Sequence, residues 1–338
     1  MNSNTSQSSL GQPFPTLQTI RETRDRLRPL IRETPIWKWE RNLLPKEAAA
    51  KGEVFLKLEL FQKTGTFKVR GALNSLVHLT LDELKRGVTT FSGGNHAIAV
   101  AYAAQVFGTS AKVVMPRSAN PARRSLAAQY GAEVILVPDV HAAFEKVKDI
   151  EVQEKRVFIH PFEGPWISNA TGTIGLELME QIPNLDAVVV PIGGGGLCSG
   201  ISAAVKQINP LCEIFGVEPE GASSMQLSFT HGEPMKLAHV NTIADSLGPP
   251  SSAHYSFELC QKYVSEIVIV KDAELIEAMK ILFSEMKLAV ESAAAASTAA
   301  LLGPLRERLK NKRVALLICG SNIDASSYCK LLETIKPL

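Results

Sequence analysis

The chain has 338 residues, of which 45% are hydrophobic and 21% are charged, and its formal net charge is +2. This length exceeds what one hydrophobic core usually serves, so the sequence predicts two lobes of ordinary globular composition. The charge is small and no basic run is interleaved with aromatic residues, which predicts no nucleic-acid partner. No apolar run has the length of a bilayer, which predicts no membrane partner.

The N-terminal segment and the cysteines indicate a reducing compartment. Residues 1–15 are polar and lack an apolar core, so they are interpreted as a mobile tail and not as a secretory signal. The five cysteines form no CxxC pair and have no metal-ligand spacing: Cys198, Cys212, Cys260, Cys319 and Cys329. Their number is odd, which favours a cytoplasmic location over a disulfide framework.

Apolar strands alternate with helices along the chain. The predicted strands are short apolar runs: 54–58, 89–91, 112–115, 133–137, 187–190 and 314–318. The clearest predicted helices cover 97–107 and 121–130. The strand residues are apolar without polar alternation, which indicates parallel strands covered on both faces. The sequence therefore predicts an open α/β fold whose ligands bind at the carboxyl ends of the strands.

A lysine follows the first of these strands at the start of a predicted helix. Thr64 or Thr66 is predicted to cap that helix, which places Lys68 in its first turn. The positive end of the helix dipole lowers the pKa of an amine there, as a lysine that forms a Schiff base requires. Taken alone, this segment is also compatible with a surface lysine, and the neighbouring Phe67 with a core residue.

Two glycine-containing turns link predicted strands to helices. Gly193–Gly196 follow the strand 187–190, and their N–H groups could converge on a single phosphate. No Lys-Ser/Thr pair follows, so a nucleotide is not favoured, and a flexible turn is the alternative. Ser92–Asn95 follow the strand 89–91 and could hold a substrate carboxylate or a ring hydroxyl. His96 is interpreted as structural.

In this order, these segments resemble the motifs of fold-type II pyridoxal-phosphate enzymes, and most of all the branch of threonine/serine dehydratases and serine racemases. The resemblance covers about residues 16 to 335. It implies that Lys68 carries the cofactor beside Phe67. It implies a phosphate site formed by Gly193, Gly194, Gly195, Gly196 and Leu197. It also implies a substrate-carboxylate loop formed by Ser92, Gly93, Gly94 and Asn95.

The same resemblance assigns two further cofactor contacts. Asn95 would also reach the ring hydroxyl of pyridoxal phosphate. Cys319, at the end of the strand 314–318, would face the pyridine nitrogen, and Ser321 could supply that contact instead. A thiol is no counter-charge, so the pyridine nitrogen is expected to be neutral. Cys319 could also be a buried small residue without a role.

The implied fold is the two-lobed open parallel-sheet fold of the tryptophan-synthase-β superfamily. Residues 16–84 and 162–338 would form the large cofactor-binding domain, and residues 85–161 a small domain that closes over the substrate. A homodimer or higher homo-oligomer is implied. No regulatory domain is expected, because no residues follow Leu338.

The resemblance implies chemistry at the α and β carbons of an amino acid, and the residues favour elimination. Racemases carry a serine that protonates the second face of Cα, and Gly93 stands in its place without a proton to give. We therefore predict a dehydratase that converts threonine, serine or an aryl-serine to the 2-oxo acid and ammonia, with Lys68 as general base. Serine racemase, a β-replacement synthase and an inactive binding protein on the same scaffold are the alternatives.

Several residues depart from the pattern or have weak signals. Glu218, the Ala222 carbonyl and Ser224 match the divalent-cation site of the relatives, but Ser224 replaces a carboxylate, so no metal is predicted. Phe162 and Trp166 either shape a pocket for a bulky side chain or pack between the lobes, and the second reading is favoured. The segment 245–250 would line the pocket opposite the cofactor, and Glu291 would lie near its ring with no assigned role.

Overall fold

The computed structural model describes residues 7–40 and 52–334, and the strands of these residues form two sheets. In chain order the strands are β1 (Ile36–Trp39), β2 (Glu53–Lys57), β3 (Val88–Phe91), β4 (Ala111–Pro116), β5 (Glu133–Val137), β6 (Val157–Phe158), β7 (Ala187–Pro191), β8 (Glu213–Pro219), β9 (Glu266–Val270) and β10 (Arg313–Leu317). The first sheet has the order β1-β2-β10-β7-β8-β9, and the second has the order β5-β4-β3-β6. Every neighbouring pair is parallel except β1 and β2.

Helices cover both sheets. In chain order they are α1 (Leu17–Leu27), α2 (Lys68–Leu76), α3 (Leu81–Arg86), α4 (Asn95–Val106), α5 (Pro121–Gln129), α6 (Val140–Glu154), α7 (Pro165–Gln181), α8 (Gly196–Ile208), α9 (Ser224–His231), α10 (His254–Tyr263), α11 (Asp272–Met286), α12 (Ser292–Leu302) and α13 (Ala325–Glu333). Among the residues described, no helix combines the length and the apolar character needed to cross a membrane. The predicted open parallel α/β architecture is confirmed.

Each predicted strand and helix is present with shifts of one or two residues. The run 133–137 is β5 without change, and the predicted helix 97–107 is α4, Asn95–Val106. Burial is most complete in β7, where all five residues Ala187–Pro191 are buried, whereas β5 at the edge of the second sheet is partly exposed. A strand that is buried on both faces needs no alternation of apolar and polar residues, so an uninterrupted apolar run predicts where such a strand lies.

Helices α7 and α8 pack at a distance that only glycine permits. A Cβ atom on Gly200 of α8 would overlap the Thr171 side chain and the Ser168 carbonyl of α7. The Thr171 hydroxyl donates to the Gly196 carbonyl at 2.8 Å, where α8 begins. This close packing fixes the start of α8 against the first two turns of α7.

The N-terminal residues that the structure describes are held against α10. The Phe14 ring packs edge-on against Tyr255, and the Tyr255 hydroxyl donates to the Pro13 carbonyl at 2.7 Å. The expectation of a mobile tail over 1–15 is therefore wrong for this stretch, because an apolar ring near its end is buried. The part of that prediction that concerns residues 1–6 lies outside the described residues.

Candidate active site

Lys68 is the first residue of α2, as predicted, but no threonine caps the helix. Thr64 has a left-handed backbone with φ of 68°, and Thr66 pairs with Gly320 in a β-bridge. The chain therefore enters α2 through Phe67, whose helical backbone conformation leaves no place for an extended N-cap residue. The hydroxyls of Thr64 and Thr66 are buried, and each lacks a hydrogen-bond partner among the described residues.

The Lys68 amine is enclosed and not a surface group. Its Nζ atom donates to the Pro161 carbonyl at 2.6 Å. Burial lowers the pKa of Lys68 to about 8, and the nearby Glu291 carboxyl opposes part of that shift. A larger share of neutral amine is therefore present near neutral pH, which is the form that reacts with an aldehyde.

A network of buried ion pairs joins α2 to the elements around it. The Arg70 guanidinium, two residues after Lys68, pairs with Glu59 at 2.8 Å and with Glu177 of α7 at 2.6 Å. Lys57 of β2 pairs with Glu177 at 2.6 Å. Two cations and two carboxylates therefore balance one another without access to solvent, and they tie α2 to the first sheet and to α7.

The four glycines between β7 and α8 form a tight cradle. Gly195 has φ of 94°, and Cβ atoms on Gly194 or Gly196 would overlap Phe162. Within residues 7–40 and 52–334, the N–H groups of Gly193, Gly194 and Gly195 find no backbone or side-chain acceptor. Unsatisfied N–H groups at a helix N-terminus suit an anion, so the cradle fits a phosphate group better than it fits a loose turn.

The loop Ser92–Asn95 connects β3 to α4 and faces the end of β10. The Asn95 amide donates to the Glu291 carboxylate at 2.7 Å, and its carbonyl oxygen accepts from Asn322 at 2.8 Å. The Gly94 N–H donates to the Ser92 hydroxyl at 3.2 Å. Asn95 and the Cys319–Asn322 turn, which are distant in sequence, thus meet in one hydrogen-bonded cluster.

Glu291 belongs to that cluster, and a buried arginine that the sequence analysis missed is its counter-ion. Arg123 of α5 reaches Asp245 at 2.5 Å and Glu291 at 3.5 Å, and it donates to the Asn322 carbonyl at 2.7 Å. Burial raises the pKa of Glu291, while Arg123 and Asn95 oppose that shift. No local signal identifies Arg123, because its partners lie at least 122 residues further along the chain.

Cys319 is buried at the end of β10, next to Lys68. Its carbonyl accepts the Phe67 N–H at 3.3 Å. Burial and then the Glu291 carboxyl raise the pKa of the Cys319 thiol well above its ordinary value. The side chain is therefore a neutral thiol, which agrees with the expectation that it brings no counter-charge.

The remaining sequence candidates have structural surroundings. His96 is buried and contacts the Ile159 carbonyl at 2.9 Å, in agreement with a structural role. Trp166 is exposed and stacks on His78 with 3.6 Å between ring centroids. Trp166 therefore packs neither between the lobes nor in a pocket, and both readings of it are wrong. Phe162 instead lies on the glycine cradle.

Glu218, the first of the weak metal candidates, caps the start of helix α9. The Glu218 carboxylate accepts the N–H groups of Met225 and Gln226 at 2.8 and 2.7 Å, in the first turn of α9. Burial raises the pKa of Glu218 to about 8, and these two hydrogen bonds oppose the shift. Ser224 is buried and Ala222 lies beside it. No group of three metal-ligating side chains is found in the part of the chain that the structure describes.

The fold and the site together define an enzyme of the parallel α/β class that holds a phosphorylated aldehyde cofactor beside a lysine. Residues 27–320 match the family described as pyridoxal-phosphate dependent enzyme, and the chain belongs to this family. Its cofactor is pyridoxal phosphate, and the predictions of family, fold, cofactor and enzyme class, a dehydratase-type lyase, are confirmed.

Three relatives illustrate where the chain stands. It is 48% identical to the phenylserine dehydratase of Ralstonia pickettii over 94% of this chain and 97% of that protein. It is 39% identical to the L-threonine ammonia-lyase of Thermotoga maritima over 94% of this chain and 78% of that protein. The structure of maize serine racemase matches with a TM-score of 0.87 and 32% identity, over 94% of this chain and 96% of that one.

Proposed function

We propose that this chain removes water from a β-hydroxy-α-amino acid, preferably an aryl-serine, and releases the 2-oxo acid and ammonia. The observation that carries the proposal is the enclosed Lys68 amine, which donates to the Pro161 carbonyl directly before Phe162 on the glycine cradle, and whose pKa burial lowers to about 8. The preference for an aryl-serine is supported by the 48% identity to a protein named phenylserine dehydratase.

The residues present fit pyridoxal phosphate. Lys68 would hold its aldehyde carbon, and the free N–H groups of Gly193–Gly195 with Gly196 and Leu197 would hold its phosphate. Phe67, Asn95 and Cys319 would contact its ring. When bound, the cofactor withdraws electrons from Cα of the substrate, and the protein orients the reacting groups.

The proposed roles of the chain's own groups follow from their positions. Ser92, Gly93, Gly94 and Asn95 would bind the substrate carboxylate through N–H and amide donors at the start of α4. The Lys68 amine would take the proton from Cα on its own face, because its pKa of about 8 lets it act as a base near neutral pH. The neutral Cys319 thiol would leave the ring nitrogen without a counter-charge.

Elimination is favoured over racemisation. Gly93 carries no side chain that could deliver a proton to the face of Cα opposite Lys68. The chain is 38% identical to the serine racemase of Schizosaccharomyces pombe, so racemisation of serine is the second candidate. Chiral analysis of recovered serine separates the two.

The sheets support the proposed domain division. Strands β3–β6 fall inside the proposed small domain, residues 85–161, and all other strands fall inside 16–84 or 162–338. We propose that the small domain closes over the amino acid substrate, that the protein is a homodimer or higher homo-oligomer, and that it is cytoplasmic.

The test is formation of 2-oxo acid by the purified holoenzyme from L-threo-phenylserine, L-threonine and L-serine. Turnover of at least one substrate, lost in Lys68→Ala, is the expected result. Turnover retained in Lys68→Ala would remove Lys68 from the mechanism. A holoenzyme that forms no oxo acid from any of the three would overturn the proposed reaction.

A further inference from the structure

Five ring side chains form a continuous row that runs from α6 past β3 and β6 to the segment after β6, and we call it the aromatic row: Phe144, Phe91, Phe158, His160 and Phe162. Successive ring centroids lie 4.2, 5.9, 5.7 and 4.7 Å apart in that order. These separations are typical of favourable ring pairs.

One end of the aromatic row lies at the candidate active site. The Phe162 ring packs on Gly194 of the glycine cradle. The carbonyl of the preceding residue, Pro161, accepts a hydrogen bond from the Lys68 amine at 2.6 Å. Phe91 is the last residue of β3 and directly precedes Ser92. The row therefore passes both the lysine and the loop proposed to bind the substrate carboxylate.

The other end of the row is open. Phe144 is 48% exposed although its ring contacts Phe91. Helix α6, which carries Phe144 and the exposed Val140, begins just after the carboxyl end of β5. The carboxyl ends of parallel strands share one sheet edge, so this apolar end lies at the same edge as the Ser92–Asn95 loop.

The histidine in the row behaves as an uncharged ring. Its Nδ1 atom accepts the N–H groups of Phe162 and Glu163 at 3.2 and 2.9 Å, which leaves the proton on Nε2. Burial and the positive charge of Lys68 lower the pKa of His160 to about 4. At neutral pH the row thus presents aromatic surface without charge.

We propose that the aromatic row binds the aryl ring of a β-aryl-β-hydroxy amino acid whose carboxylate lies on the Ser92–Asn95 loop. The inference rests on the proposed dehydratase function and identifies the residues that select its substrate. An aryl ring gains aromatic contacts along Phe91, Phe144 and His160, whereas the methyl group of threonine is too small to contact more than one ring.

The first test is Phe144→Ala in the holoenzyme, with kcat/KM measured for L-threo-phenylserine and L-threonine. We expect the value for phenylserine to fall about 5- to 10-fold, as the loss of one aromatic contact implies, and the value for threonine to change less than about twofold. Phe283→Ala is the matched control, because Phe283 is 49% exposed and contacts Tyr328 at 5.7 Å between centroids, away from the row.

A second variant and a binding measurement make the test independent of turnover. Phe91→Leu keeps an apolar side chain of similar volume but removes the ring. Binding of L-phenylalanine, which has no β-hydroxyl to lose, is followed through the absorbance of the bound cofactor, with L-alanine as reference. We expect both Phe91→Leu and Phe144→Ala to weaken binding of L-phenylalanine selectively.

The aryl assignment is overturned by equal losses for phenylserine and threonine, by no loss for either, or by unchanged L-phenylalanine binding in both variants. A wild-type enzyme that prefers threonine to phenylserine also overturns it, while the dehydratase function stands. Absence of all oxo-acid formation refutes the proposed reaction, and L-phenylalanine binding still decides whether the row holds an aryl ring.

Discussion

Two charge networks lie near Lys68, and they differ in what they join and in how far they are buried. The network of Lys57, Glu59, Arg70 and Glu177 has two cations and two carboxylates, all buried, and it connects α2 to the first sheet and α7. The network of Arg123 joins α5, next to the second sheet, to Glu291 and Asp245. There the Asp245 side chain is 62% exposed.

The difference indicates different functions. A balanced, dry network has no solvent to replace a lost partner, so it favours one arrangement of α2 and holds Lys68 in place. Arg123, in contrast, pairs with an exposed aspartate and can exchange that partner for water. The Arg123 network is therefore suited to join α5 reversibly to the segments that carry Asp245 and Glu291, whereas the Arg70 network is suited to fix α2.

The largest expected effect is on stability, when Arg70 is replaced. Arg70→Met leaves Glu59 and Glu177 buried with one cation between them, and we expect the free energy of unfolding to fall by about 3–5 kcal/mol. Urea denaturation of the purified protein measures it. Arg24→Met breaks the surface pair of Arg24 with Glu180, at 2.6 Å, and is the control, with an expected cost below about 1 kcal/mol. Equal costs for the two variants would refute the special status of the buried network.

The next effect is on turnover, when Arg123 is replaced. Arg123→Met removes the counter-ion of Glu291, which hydrogen-bonds Asn95, so we expect kcat/KM to fall about 10- to 100-fold. The expected loss of unfolding free energy is smaller than for Arg70→Met, because the Asp245 partner of Arg123 is largely exposed and water can replace the lost contact there. The neighbouring Arg124→Met is the matched control. A loss of stability as large as that of Arg70→Met would mean that both networks are structural.

A smaller effect concerns the pH dependence of cofactor uptake. The neutral Lys68 amine reacts with the aldehyde, so the uptake rate of the apoenzyme should rise with pH through a midpoint of about 8, and not near 10.5. The nearby Glu291 carboxylate raises the pKa of Lys68, so Glu291→Gln should move the midpoint to lower pH. Stopped-flow absorbance of the bound cofactor measures both. A midpoint that does not move in Glu291→Gln would show that the two groups are not coupled.

The contrast between local and distant partners also explains what the sequence could predict. The apolar run 133–137 and the glycines 193–196 carry their signal within a few residues, and both were placed correctly. The cap of α2 was wrong because Thr66 pairs with Gly320, far along the chain. Arg70 and Glu177 are 107 residues apart, and Arg123 and Asp245 are 122 apart, so only the folded chain brings them together.

The smallest expected effect concerns the choice between elimination and racemisation. A Cβ atom on Gly93 would lie 3.7 Å from Pro116, an ordinary contact, so Gly93→Ser should fold without strain. The new hydroxyl offers a proton on the face of Cα away from Lys68, and we expect slow racemisation of L-serine, with oxo-acid formation reduced less than about fivefold. Chiral chromatography of recovered serine measures it. Gly94→Ser is not a neutral control, because a Cβ atom there would lie 2.8 Å from the Arg123 guanidinium and would disturb the Arg123 network. If Gly93→Ser gives no D-serine while it retains dehydration, the missing hydroxyl is not what separates this chain from the racemases.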